Sequence, residues 1–249
     1  MSKIKLSKRL EEVALCVGSN ATVADIGCDH GFTTIYLIEN NMAKCGIAMD
    51  INKGPLERAK IHIKEAGLEE RIQTRLSDGL AGLEKGEADT ILISGMGGAL
   101  IKEILMAKTE VACSAKELIL SPQSEIHLVR RCLHELGFFI ESEKMVFDMG
   151  KYYVIIKALR DDMIGMSKMH GKSYSLSSQK YDTADYVYGK YLIDTKDKVF
   201  CEFLEKEKNR MEKVIASLKR SGMSEEEICK QNISVEYDLL RQTINKINI

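Results

Sequence analysis

No stretch of this sequence stays apolar for anything near the roughly 20 residues that span a bilayer, so no transmembrane helix is expected. Lys3, Lys5, Lys8 and Arg9 open the chain, but no apolar segment follows them, so no secretory signal is expected either. The seven cysteines contain no C-x-x-C pair. Cys16, Cys28, Cys45, Cys113, Cys132, Cys201 and Cys229 are scattered and odd in number. That pattern points away from a disulfide framework or a zinc site and toward reduced thiols in the cytoplasm. A strong charge of either sign is also missing, since 36 Lys and Arg against 37 Asp and Glu leave a net charge of -1. Any nucleic-acid contact must therefore use a local basic patch.

What is present is ordinary for a globular protein: 249 residues, 45% hydrophobic and 29% charged, enough to bury a substantial core. From residue 22 to about 160, short β-branched runs alternate with longer helical stretches. The expected strands are "TVADIG", "CGIAMDI", "RIQTRL", "DTILISG", "ELILSP", "FFIESEKMVF" and "KYYVIIKAL". Helical stretches lie between the first five; in "GPLERAKIHIKEAG", Leu56, Ala59, Ile63 and Ala66 share a face. Such alternation predicts a doubly wound, mostly parallel sheet, and continuous apolar strands predict burial on both faces. The last two strands, joined by the turn "DMGK", would add an antiparallel strand at the edge.

After about residue 160 the pattern changes. "DDMIGMSKMHGKSYSLSSQKYDTAD" reads as a linker or irregular segment. "KVFCEFLEKEKNRMEKVIASLKR" then places Phe200, Phe203, Leu204, Met211, Val214, Ile215 and Leu218 at helical spacing. Ser224 and Glu227 form a capping box. Ile233, Tyr237, Leu240, Ile244 and Ile247 follow at spacings of 4, 3, 4 and 3, a heptad seam. A solvated helical hairpin and a dimeric coiled coil both satisfy that seam, and the hairpin of a monomer is the simpler expectation.

The loop "ADIGCDHGFTTIYL" carries the chemistry. A phosphate-binding P-loop requires a lysine, and none lies between Asp25 and Ile38. A dinucleotide fingerprint requires a third glycine, and Asp25 and Asp29 inside the loop would repel a pyrophosphate. The ligand is expected to carry positive charge and no phosphate. S-adenosylmethionine meets both conditions: Gly27 and Gly31 let the backbone approach, and Asp25 or Asp29 can meet its ammonium. A tight strand-to-helix turn alone would use the same glycines. Asp50 ends the second strand, where an acid accepts both ribose hydroxyls. Asp78 with Gly79 follows the third, where an acid can meet the adenine amino group. Each acid by itself could be a helix cap, but three beyond successive strands favour a cofactor site. Cys28, Ile51, Ser94 and Gly95 adjoin these positions and complete the candidate cofactor set.

The fourth strand ends in "SGMGGALI". Many amino-group methyltransferases place an Asp/Asn-Pro-Pro-aromatic sequence there. Here Met96, Gly97 and Gly98, with Pro122 after the fifth strand, are the candidate substrate-facing residues. A site without a side-chain base suits a ring nitrogen, whose lone pair attacks without prior loss of a proton. Asp29 and His30 are the candidate catalytic residues, for orienting the substrate or taking a proton from it. No metal is expected.

"DIGCDHGF", "AMDINKGPLERA", "RLSDGL", "SGMGGALIKEIL", "LILSP" and "YYVII", in that order, resemble the bacterial tRNA (adenine-22-N1)-methyltransferase family. The resemblance implies a Rossmann-like, class I methyltransferase domain over residues 1–160 and a helical coiled-coil domain over 161–249. It also implies S-adenosylmethionine as donor and N1 of adenosine 22 of tRNA as acceptor. Two departures stand out: Thr33-Thr34 where the family usually has Leu-Pro, and Ser121-Pro122 where it usually has Gln-Pro. Both are expected on the rim of the crevice. Other readings are a non-catalytic S-adenosylmethionine-binding module and a small-molecule methyltransferase. For the RNA, two basic clusters are candidates: Lys3, Lys5, Lys8 and Arg9, and Lys206, Lys208, Arg210, Lys213, Lys219 and Arg220 on the tail. Interleaved glutamates make a paired, solvated face an equal reading of the second.

Overall fold

Strands rich in Val, Ile and Leu, with hardly a polar position, cannot leave either face in water and are driven into the middle of a layered structure. The computed structural model describes residues 4–160, 180–224, 227 and 232–248. Seven strands form one sheet: β1 Ala21–Ile26, β2 Ala43–Asp50, β3 Ile72–Leu76, β4 Thr90–Ser94, β5 Glu117–Ser121, β6 Phe138–Asp148 and β7 Lys151–Arg160. Their order is β3-β2-β1-β4-β5-β7-β6. All five residues of β5 are buried, as are all of β1 except Thr22.

The sheet is the expected Rossmann-like one, mostly parallel, with antiparallel pairing confined to one edge. β1 to β5 pair in parallel. β7 is inserted between β5 and β6 and runs against both, so β6 closes the edge in the same direction as β1 to β5. The turn between them pairs Asp148 with Lys151 and holds Met149 and Gly150 at φ 47° and 83°. Two left-handed central residues give the turn whose twist matches right-twisted strands.

The helices that cover the sheet are α1 Lys8–Leu15, α2 Phe32–Glu39, α3 Lys53–Glu65, α4 Gly98–Ala107, α5 Thr109–Ala112 and α6 Ile126–Glu135. α3 buries Leu56, Ala59 and Ile63, three of the four residues its spacing assigned to one face. α6 is locked to β6 by Arg130, whose Nε donates to Glu143 Oε1 at 2.7 Å with both side chains buried. Removing either partner would leave an uncompensated buried charge, a loss of about 3–5 kcal/mol. Strand order reverses between β1 and β4, which opens a crevice at the carboxyl ends of the strands.

The described residues group into two compact units, one ending at Lys180 and one beginning at Tyr181. Most of the expected linker, residues 161–179, lies outside the described residues. The second unit contains a π-helical turn Asp185–Gly189, then α7 Lys190–Thr195, α8 Lys198–Arg220 and α9 Asn232–Ile247. Asp197 caps α8 by accepting from the Phe200 amide at 2.9 Å. The capping box forms, with the Ser224 amide donating to Glu227 at 2.8 Å and the Glu227 amide donating back to Ser224 Oγ at 3.3 Å. Along the heptad seam Leu240, Ile244 and Ile247 are buried, and Tyr237 donates to Glu212 of α8 at 2.8 Å. Among the described residues no helix is long and apolar enough to cross a membrane.

Candidate functional site

The loop from Gly27 to Gly31 owes its shape to backbone sign. Gly27 and Gly31 have φ of 74° and 73°, and Asp29 between them has 49°. Glycine adopts these angles freely, and Asp tolerates them better than most residues. The amides of Gly27 and Cys28 donate to the Met49 carbonyl at 2.8 and 2.9 Å, which lashes the loop to the end of β2. Below it Asp25 is 4% exposed and accepts a 2.7 Å hydrogen bond from the Thr34 hydroxyl. Burial pushes the Asp25 carboxyl up to about pKa 6; the Thr34 bond opposes that shift and the nearby Asp50 charge adds to it.

Asp50 ends β2 with its carboxylate oriented by two backbone amides, Asn52 at 2.8 Å and Asp29 at 3.3 Å. Asp78 is exposed beyond β3, next to Gly79 at φ 51°. These acids meet in one cleft of about 570 Å³. Of the residues singled out in the sequence, Asp25, Gly27, Cys28, Asp29, His30, Asp50, Ile51, Asp78, Gly79, Ser94, Gly95 and Met96 all line it. Asp29 and His30 lie side by side, with His30 Nε2 3.5 Å from Asp29 Oδ1 and Arg58 3.8 Å from the same oxygen.

Four predicted residues do not line the cleft. Gly31 packs on α3, where an added Cβ would stand 3.1 Å from that of Ala59. At Gly97 (φ -66°) a Cβ would face Ser124 Oγ at 3.1 Å. At Gly98 a Cβ would overlap the backbone carbonyls of Ser124 and Glu125. At Gly98, and less tightly at Gly97, this loop and the one after β5 pass close together. Pro122 is buried, and its neighbour Gln123 takes the place in the cleft wall. The rim position expected of Thr33-Thr34 and Ser121-Pro122 is likewise corrected. Thr34 is fully buried beneath Asp25, Thr33 lines the cleft at 8% exposure, and Ser121 is buried.

Sequence reasoning missed the use of Arg9. Arg9 lines the cleft. Ser7 caps α1 by accepting from the Leu10 amide at 3.4 Å, and the Arg9 amide donates to Asp148 at 3.1 Å. The Arg9 guanidinium lies over the Tyr153 ring, 5.1 Å from its centroid, and donates to Ser94 Oγ at 2.6 Å. Burial lowers its pKa, but a guanidinium remains charged at any physiological pH. Among the described residues lining the cleft, Arg9 is the one with a permanent positive charge. No sequence signal marks it, because its partners are 85 and 139 residues away. On α8 the interleaved charges pair locally, with Arg210 2.8 Å from Glu207 and Lys208 4.0 Å from Glu212. Lys3 lies outside the described residues. Among the described residues no cluster of His, Cys, Asp and Glu could hold a metal ion.

Residues 6–156 match a family model described as a methyltransferase domain. Over 246 residues the chain is 31% identical to the tRNA (adenine(22)-N(1))-methyltransferase of Bacillus subtilis, covering 98% of this chain and 99% of that one. The crystal structure of the B. subtilis m1A22 tRNA methyltransferase TrmK has a TM-score of 0.81 at 29% identity, over 97% and 99% of the two chains. A Streptococcus pneumoniae protein assigned as a tRNA (m1A22) methyltransferase, solved with S-adenosyl-L-methionine, has a TM-score of 0.80 at 29% identity. That match covers 96% of this chain and 100% of the other.

Proposed function

Because the chain belongs to the tRNA (adenine(22)-N1)-methyltransferase family, we propose that it methylates N1 of adenosine 22 in tRNA, with S-adenosylmethionine as donor. The observation that carries this is the cleft itself, lined by four acids and one half-buried guanidinium. S-adenosylmethionine presents two positive groups, one carboxylate, a ribose diol and an adenine. Asp25 and Asp29 face the positive groups, Arg9 takes the carboxylate, Asp50 accepts the ribose hydroxyls and Asp78 meets the adenine amino group. Cys28, Ile51, Gly79 and Ser94 complete the wall.

When bound, S-adenosylmethionine supplies an electrophilic methyl group on a positively charged sulfur. The target N1 lies on the Watson-Crick edge, so the base must be turned out of its helix to enter the cleft. A neutral ring nitrogen needs no general base. The protein's contribution is placement, holding N1 near an in-line approach of about 3–3.5 Å. Gly95 and Met96 leave room for the base. Asp29 or His30 orients its amino group or accepts a proton from N6 once the ring has become cationic. We assign residues 1–160 to this catalysis and residues 161–249 to the helical domain, in a cytoplasmic monomer acting on tRNA without membrane or metal.

The test is methylation of unmodified tRNA transcripts by the full chain. The expected result is 1-methyladenosine at position 22 and none in a transcript carrying guanosine there. A chain that binds S-adenosylmethionine but leaves every transcript unmodified would be a binding module. In a parallel measurement, Asp50→Ala should weaken cofactor binding about 10- to 100-fold by calorimetry, the worth of hydrogen bonds to a charged acceptor. Unchanged affinity in the folded variant would move the ribose elsewhere.

A further inference from the structure

Three aromatic rings gather where the first loop meets α3. His30 and Phe32 have ring centroids 5.4 Å apart and planes within 8°. His62 of α3 joins them, 4.6 Å from Phe32 and 5.7 Å from His30, with its plane within 30° of both. His62 Nδ1 lies 3.0 Å from the His30 carbonyl, so that nitrogen carries the hydrogen and the ring is held in place. The cluster is not a piece of core. Phe32 is 38% exposed and the His30 side chain 34%, and both rings line the cleft. A phenyl ring has no polar atom to offer water, so leaving it at the mouth forgoes burial without local gain. One turn before His62 on α3, Arg58 is exposed and stands 3.8 Å from Asp29 Oδ1.

We propose that this ring cluster stacks a nucleobase of the tRNA while Arg58 of α3 meets an adjoining phosphate. Aromatic faces interleaved with cations are what an unpaired nucleic-acid strand requires, since every base has a flat face and every linkage a charge. A base turned out of its helix loses its stacking partners, and a shelf beside the cleft replaces them. The stacked base is either the methylated adenine or the nucleotide next to it. The proposal rests on the tRNA reading above.

The experiment compares Phe32→Leu, which keeps apolar bulk but removes the flat face, with Phe32→Tyr, which restores it. Each full-length variant is assayed for steady-state methylation of tRNA, and its affinity for S-adenosylmethionine is measured by calorimetry. Phe32→Leu should lose about 10- to 100-fold in kcat/KM with cofactor affinity unchanged, and Phe32→Tyr should regain most of it. A loss in kcat identifies the methylated adenine, and a loss confined to KM identifies its neighbour, because uniform binding moves KM alone. Wild-type kcat/KM in Phe32→Leu overturns the proposal, as does a cofactor affinity that falls in step with kcat/KM. If Phe32→Leu does not fold, His62→Gln carries the same test from α3. A wild-type chain that methylates no tRNA overturns the tRNA reading, and the shelf falls with it.

Discussion

After β1 and after β4 the chain makes two glycine-rich loops that border one cleft, and their glycines answer different demands. In the first, Gly27 and Gly31 are set by sign, with φ of 74° and 73°, and the intervening Asp29 shares the strain at 49°. In the second, only Gly95 has that need, at 89°. Gly98 is helical in its backbone and is required because two carbonyls of the loop after β5 pass where a side chain would begin. The first loop is shaped by the sign of its backbone angles. The second is a joint that binds the cleft wall to the scaffold.

Substitutions can break that contrast, and the largest effect belongs to the joint. Gly98→Val sets a side chain against the backbone of Ser124 and Glu125, which cannot swing aside. Its urea midpoint should fall by the equivalent of about 3 kcal/mol or more. An unchanged midpoint would mean that the joint yields.

The next effect belongs to the floor of the first loop. Asp25 ionises near pH 6 in the folded protein, against about 4 in an unfolded chain. Between those values the native state binds the extra proton, so stability falls as pH rises from about 4 to 6 and is level above. Asp25→Asn should abolish that slope and be about 2–3 kcal/mol more stable than the ligand-free wild type at pH 8. The same reasoning makes cofactor affinity of the wild type drop as pH falls below 6, because the protonated acid no longer attracts a cation. Parallel pH slopes for the two proteins would place the raised carboxyl elsewhere.

Gly27→Ala comes third, at about 1–2 kcal/mol from the left-handed backbone. The Met96 methyl group it would overlap is the end of a flexible side chain and can move. The smallest effect is expected at Gly97→Ala, about 0.5 kcal/mol or less, since only the Ser124 hydroxyl must turn. If Gly97→Ala kept its stability and lost methylation of tRNA, Gly97 would face the substrate after all and the contrast would fail.

These differences explain what the sequence made legible. The strands could be read because a buried parallel strand is a run of apolar, β-branched residues closed by a turn. The acids could be read for the same reason: Asp25, Asp50 and Asp78 sit at strand ends, and parallel strands bring their ends together. The packing role of Gly98 was not legible, because the letter is the same whether a glycine serves φ, close approach or a ligand. Arg9 and Gln123 could not be read at all. Each enters the site through contacts between elements far apart in the chain, and nothing in their local spacing distinguishes them from surface residues.

The strand order also governs how the chain is made. Among the described residues β6 is hydrogen-bonded into the sheet through β7 alone, and β7 is the last strand to be synthesised. Until residues 151–160 emerge, β5 presents a row of unpaired amides and carbonyls, and β6 has nothing to join. At about 5–20 residues per second the open edge lasts through the making of the whole segment between β5 and β7. The two-residue turn at Met149 and Gly150 lets the hairpin close on itself before it docks, which shortens that interval. A nascent chain halted before residue 151 carries a bare edge that other chains can extend, and it should aggregate where the completed protein does not.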